Sequence, residues 1–137
     1  REYKNLDIKI LEDYSFKKLV KTFTEKCQYY FNQPIKFIQI HQMRVYADNN
    51  SVNLVPEGRH KDGFNIVGMT CIERKNINGA VSSVYDDGEN LIIKKQLDIG
   101  EMLILNDNKM YHDVSNILLD NPEKIGYRDI FVFTTIS

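Results

Sequence analysis

His60, Asp62, His112 and Arg128 are the residues of this chain whose types and order can do chemistry. His60 and Asp62 stand in HKDG, His112 in YHDV, and Arg128 in the closing run YRDIFVFTTIS. On an extended chain, residues two apart point to the same side, so His60 and Asp62 can reach one ion together. Gly63, just after them, lets the backbone turn away without a clash. A second imidazole from a distant antiparallel strand would complete a facial set of two histidines and one carboxylate. Such a set caps one face of a divalent metal and leaves about three octahedral positions open, the arrangement of non-heme Fe(II) sites that activate oxygen.

Each of these residues also has an ordinary alternative. His60 can be a surface turn residue between Arg59 and Lys61, and His112 a hydrogen-bonded histidine under a loop. His41, in IQIHQM, reads as structural or as a group behind the site. Asp113 points to the other face from His112 and is left out of the metal set. Arg128 lies in otherwise apolar sequence, and a guanidinium there needs a counter-charge if it points inward. Asp129, Asp62 or a dicarboxylate co-substrate would each serve, the last because its planar carboxylate matches the guanidinium fork.

These side chains need a rigid strand framework, and the sequence supplies one. Residues 13–32 read as one amphipathic helix, with Phe16, Leu19, Val20, Phe23, Cys27 and Tyr30 on one stripe. Asp13 or Ser15 can cap its start, and Pro34 stops it running on. Its lysines could suit a membrane surface, but packing on a sheet is the expectation. From Ile35 onward the chain reads as seven short strands: 35–47, 64–74, 80–87, 90–99, 101–107, 110–118 and 127–136. Turn residues separate them at Asp48-Asn49-Asn50, Asn78-Gly79, Asp86-Asp87-Gly88, Gly100, Asn106-Asp107-Asn108 and Asn121-Pro122. The pattern predicts an all-β sandwich backed by an N-terminal helix, which a jelly roll can close.

The bulk properties narrow the partners. With 137 residues, 42% of them hydrophobic, the chain suits one domain with a real core. A net charge of -1 without a basic stripe gives no reason to expect nucleic acid. No apolar run has the length of a membrane span, and no signal-peptide pattern marks the start. The chain opens on Arg1 and not Met, which points to a native N-terminus further upstream. Cys27 and Cys71 form no C-x-x-C motif and are expected as buried free thiols of a cytoplasmic protein.

Three segments, PEGRHKDGFNIVGMTCIERKNINGAVSSVYD, LDIGEMLILNDNKMYHDVSNI and GYRDIFVFTTI, with IHQMRV ahead of them, resemble a known group. They are similar to the bacterial 2-oxoglutarate/Fe(II)-dependent dioxygenases that include L-isoleucine 4-hydroxylase, over roughly residues 36–135. The resemblance implies a double-stranded β-helix, a distorted cupin-like jelly roll, formed by residues 1–137 as a single dioxygenase domain. It implies Fe(II) on His60, Asp62 and His112, with 2-oxoglutarate on the iron and its far carboxylate on Arg128. O2 and 2-oxoglutarate would be consumed in hydroxylating an unactivated C–H bond of a small molecule, chiefly a free L-amino acid. The alternatives are the same oxidant acting on a protein or peptide side chain, and a cupin-like module that binds a metal or small acid without turnover.

The sequence departs from the resemblance in two ways. The chain is short, and Ile130 stands where many related oxygenases place a serine two residues after the arginine. A hydroxyl partner for the far carboxylate is therefore expected from another strand, with Ser83 and Tyr85 as candidates. Glu57, Arg59 and Arg44 could meet an amino acid's charged ends but are expected at the surface.

Overall fold

The computed structural model describes residues 4–32, 34–47 and 58–136. Among these residues two helices, α1 (Ile8–Glu12) and α2 (Tyr14–Phe31), precede nine strands. These are β1 (Phe37–Ala47), β2 (Ile66–Lys75), β3 (Ile77–Gly79), β4 (Val81–Tyr85), β5 (Leu91–Gln96), β6 (Met102–Asn106), β7 (Tyr111–Val114), β8 (Ile117–Leu119) and β9 (Gly126–Ile136). They form antiparallel sheets in the orders β1-β9-β2-β6, β5-β4-β7 and β3-β8. The fold is mainly β, a jelly roll with a helical layer on one side, as the alternating sequence predicts.

The α2 helix forms where the periodicity puts it. The Asp13 carboxylate accepts a hydrogen bond from the Phe16 N–H at 2.9 Å and caps the start. Asn32, in the left-handed region at φ 48°, ends the helix ahead of Pro34. Phe16, Phe23 and Cys27 are buried against Ile66, Phe131 and Phe133 of the large sheet. Phe23 stacks on Phe133 with centroids 5.1 Å apart, and Phe16 meets Phe131 edge-on at 5.3 Å. Gly68 makes the Phe23 seat possible, because a Cβ there would lie 2.6 Å from Phe23 Cε2. Tyr30 departs from the expected stripe: it is 66% exposed and packs its ring edge-on against Tyr29.

Alternation along β9 divides the large sheet into two faces. Phe131 and Phe133 point to the helix, while Arg128, Ile130, Val132 and Thr134 point between the sheets. Register carries the division across: Val132 pairs with His41 and Met69, and Thr134 with Val67. On the inner side, Val67, Met69, Cys71, Leu103 and Leu105 pack with Val84 of the small sheet. The count of nine strands against seven expected comes from β3 and β8, three-residue strands that pair with each other. The expected strand 110–118 breaks into β7 and β8 around Ser115 and Asn116. Cys27 and Cys71 are free and buried. Among the described residues, no helix is long and apolar enough to cross a membrane.

Candidate metal centre

His60 and His112 meet through the backbone before their side chains meet. The His60 N–H donates to the His112 carbonyl at 3.1 Å, and the His112 N–H to the His60 carbonyl at 3.0 Å. This isolated bridge sets the two imidazoles side by side, with ring centroids 4.4 Å apart. His112 comes from β7, opposite Val84 of β4, and both point inward. Gly63 has φ +84°, so the turn after the H-x-D segment uses the backbone freedom that glycine has.

The Asp62 carboxylate lies between the rings. Oδ1 is 3.1 Å from His60 Nε2 and Oδ2 is 3.3 Å from His112 Nε2. One donor atom from each residue falls within 4.8 Å of the others. His60 Nδ1 is 2.9 Å from the Gly58 carbonyl, which can only accept, so Nδ1 is the donor in that contact and Nε2 is the ring nitrogen turned to Asp62. The hydrogen bond from His112 is the main influence holding the Asp62 carboxyl below the usual carboxylate range, and the His60 interactions add to it. Two nitrogen donors and one carboxylate, converging at one rim, fit a divalent metal with open positions.

Asp107 supports this arrangement, although its sequence context marks only a turn. Its side chain is fully buried, and its two oxygens accept the Asp62 N–H at 3.0 Å and the Phe64 N–H at 2.9 Å. Oδ1 lies 3.9 Å from His112 Nδ1, beyond hydrogen-bond reach, and that buried Nδ1 has no hydrogen-bond partner. Nothing in Asn106-Asp107-Asn108 distinguishes it, since all three types are common turn formers.

A cavity of about 400 Å³ opens from His60, Asp62 and His112 between the sheets. His41, Phe64, Val67, Met69, Ile130 and Val132 contribute to its walls, so the space is largely aliphatic. Arg128 also lines it and is only 4% exposed. Burial pushes its guanidinium below the ordinary arginine value, and Nε has no hydrogen-bond partner. Neither protein counter-charge considered for it is available. Asp129 turns to the opposite face and takes Arg44 in a bidentate pair, both bonds 2.7 Å, and Asp62 is engaged by the histidines.

One expected contact is corrected. Ser83 and Tyr85 pair with Asp113 and Tyr111, so they face away from the side that His112 and Val84 share. Ser82 is the inward residue, and its buried Oγ, like Thr134 Oγ1, has no partner. Val81 and Val84 cannot share a face of VSSVY, so its apolar pattern does not choose between the registers. Asp113 lies 3.9 Å from Arg59, whose guanidinium stacks over Tyr85 at 3.6 Å. Arg44 is held by Asp129 and lies over the Tyr127 ring at 4.1 Å. His41 lines the cavity, as a group near the site would. Glu57 lies outside the described residues.

The family model described as 2OG-Fe dioxygenase matches residues 1–134. Among solved structures, a bsmA homolog from Methylobium petroleophilum PM1 superposes with TM-score 0.86 at 23% identity, covering 100% of this chain and 56% of that one. IDO from Bacillus thuringiensis gives 0.82 at 17% identity, over 98% of this chain and 66% of that one. The Fe(II)/(alpha)ketoglutarate-dependent dioxygenase TqaL gives 0.80 at 18% identity, over 98% and 57%. At these identities the likeness carries the fold, and this chain spans less than two thirds of each relative's length. No curated protein sequence matches the chain.

Proposed function

The chain belongs to the 2OG-Fe dioxygenase family, and from that premise we propose that it hydroxylates an unactivated C–H bond of a small molecule. Family membership implies Fe(II), 2-oxoglutarate and O2 as cofactor and co-substrates. His60 Nε2, His112 Nε2 and an Asp62 oxygen would hold the iron, and Arg128 would receive the far carboxylate of 2-oxoglutarate. With iron bound, the site would supply oxidising power from O2, consumed as 2-oxoglutarate is decarboxylated to succinate. The chain's own residues orient and shield. Gly58 O fixes the His60 tautomer, Asp107 holds the Asp62 backbone, and the aliphatic walls keep water from the reacting carbon.

The observation that carries this reading is one cavity holding both the open His–Asp–His set and a buried guanidinium without a protein counter-charge. A buried cation with free N–H donors recognises a carboxylate, and a dicarboxylate reaches it while chelating a metal with its other end. For substrate, a free L-amino acid with an aliphatic side chain suits the Val67, Met69, Ile130 and Val132 walls and agrees with the sequence resemblance.

The test is anaerobic addition of Fe(II) and 2-oxoglutarate, followed by visible absorption and then by succinate release with aliphatic L-amino acids under air. The wild type should show the weak charge-transfer band of chelated 2-oxoglutarate, and His112→Ala should lose both the band and succinate. Retained turnover in His112→Ala removes the assignment. Binding without succinate for any amino acid, but with hydroxylation of a lysate protein, moves the substrate to a polypeptide side chain.

A further inference from the structure

A second cation stands beside Arg128, behind the cavity wall. The cross-strand partner of Arg128 on β2 is Arg74, brought into register by the irregularity between Cys71 and Glu73. Residues directly opposite on paired strands share a face, with Cβ atoms roughly 4.5–5.5 Å apart. Arg74 Nη2 donates to the Gly79 carbonyl at 3.0 Å, while Arg74 Nη1 is buried without a partner, as is Arg128 Nε. Among the described residues neither guanidinium forms an ion pair; the arginine ion pairs belong to Arg44 and Arg59. Burial, with repulsion from Arg74 adding to it, weighs on the charged form of Arg128. Two adjacent like charges with unused donors repel each other and favour an anion that neutralises both.

We propose that Arg74 is a selectivity determinant of the co-substrate site, a positioning charge that makes the cavity's end doubly positive and so favours a 2-oxo diacid over a 2-oxo monoacid. The inference rests on the reading that Arg128 receives the far carboxylate. Arg74 does not itself line the cavity and acts on the ligand through the Arg128 fork and through its field. A unit charge at roughly 7 Å, with an effective dielectric near 20, changes affinity by about ten- to fiftyfold. It adds nothing for an acid that lacks the far carboxylate.

The experiment titrates the full chain, loaded with Mn(II) in the absence of oxygen, by calorimetry with 2-oxoglutarate and with 2-oxopentanoate. The two acids share the chelating head and differ in the far carboxylate. Arg74→Gln, which keeps a donor for the Gly79 carbonyl, should bind 2-oxoglutarate about tenfold or more weakly while 2-oxopentanoate stays within about twofold. Arg74→Lys should keep the preference for the diacid. Equal weakening for both acids, or no change for either, overturns the proposal. If Arg74→Gln does not fold, Arg74→Lys decides alone, because loss of the diacid preference with the charge retained also overturns it. Arg128→Met tests the underlying reading separately: undiminished 2-oxoglutarate affinity there removes the co-substrate assignment, whatever Arg74 does.

Discussion

Replacing Asp107 with Asn should injure both the fold and the metal site while leaving the three donor side chains in place. The buried Asp107 carboxylate accepts two backbone N–H bonds, from Asp62 at 3.0 Å and Phe64 at 2.9 Å. Asparagine has the same shape but one acceptor oxygen, so one N–H loses its partner and faces an amide NH2. Leaving a buried donor unsatisfied costs about 1–3 kcal/mol, so a loss of about 1–3 kcal/mol is expected. Because the affected N–H belongs to the segment that carries His60 and Asp62, the proposed ligands, metal affinity should fall about ten- to a hundredfold, the usual range for partners that orient ligands. Urea denaturation of the metal-free protein measures the first effect, and anaerobic Mn(II) or Fe(II) titration the second. Phe23→Leu is the control, since it weakens the distant helix seat and should leave metal affinity alone. If Asp107→Asn loses stability with unchanged metal affinity, the loop holds Asp62 without Asp107 and the reasoning fails.

Two further perturbations test the fold beneath the site. Gly68→Ala drives a Cβ to 2.6 Å from Phe23 Cε2 and should cost about 1–3 kcal/mol by overpacking, with Phe23→Leu in the same chain restoring part of it; additive losses in the double variant would refute the contact. Burial pushes the Cys27 thiol up to about 11, so the native state keeps its proton where the unfolded chain releases it. The associated stability is fully present below the ordinary thiol value and is lost as pH rises toward 11, by about 2–3 kcal/mol for a shift of this size. Cys27→Ala should flatten that alkaline decline in a denaturation series, and an unchanged slope would assign the decline to other groups.

Much of this architecture is legible in residue order. The α2 stripe, the Asp13 cap, the alternation of β9 and the H-x-D pair each follow from a local rule that the tertiary structure happens not to override. What the sequence hides are choices among equivalent readings. VSSVY carries valines of both parities, so only pairing with β7 decides that Ser82 and not Ser83 faces inward. Asp107 looks like its asparagine neighbours until the loop folds over it. Arg74 opposes Arg128 because of one irregularity in β2, and no spacing rule places such an irregularity in advance. Tyr30 keeps the helical period, yet it stays 66% exposed with its ring against Tyr29.

β9 explains why the helix matters to a site it does not touch. Its odd residues serve one side: Asp129 takes Arg44, Phe131 meets Phe16, and Phe133 stacks on Phe23. Its even residues, Arg128, Ile130, Val132 and Thr134, serve the cavity. A slip of one residue in register would exchange the two sets, placing a guanidinium against the helix and phenylalanines in the cavity. Every aromatic contact with α2 therefore also fixes the direction of Arg128, and the bidentate Arg44–Asp129 pair locks the same register from the next strand. The helical layer sets the position of Arg128 through the strand they share, without contributing a ligand of its own.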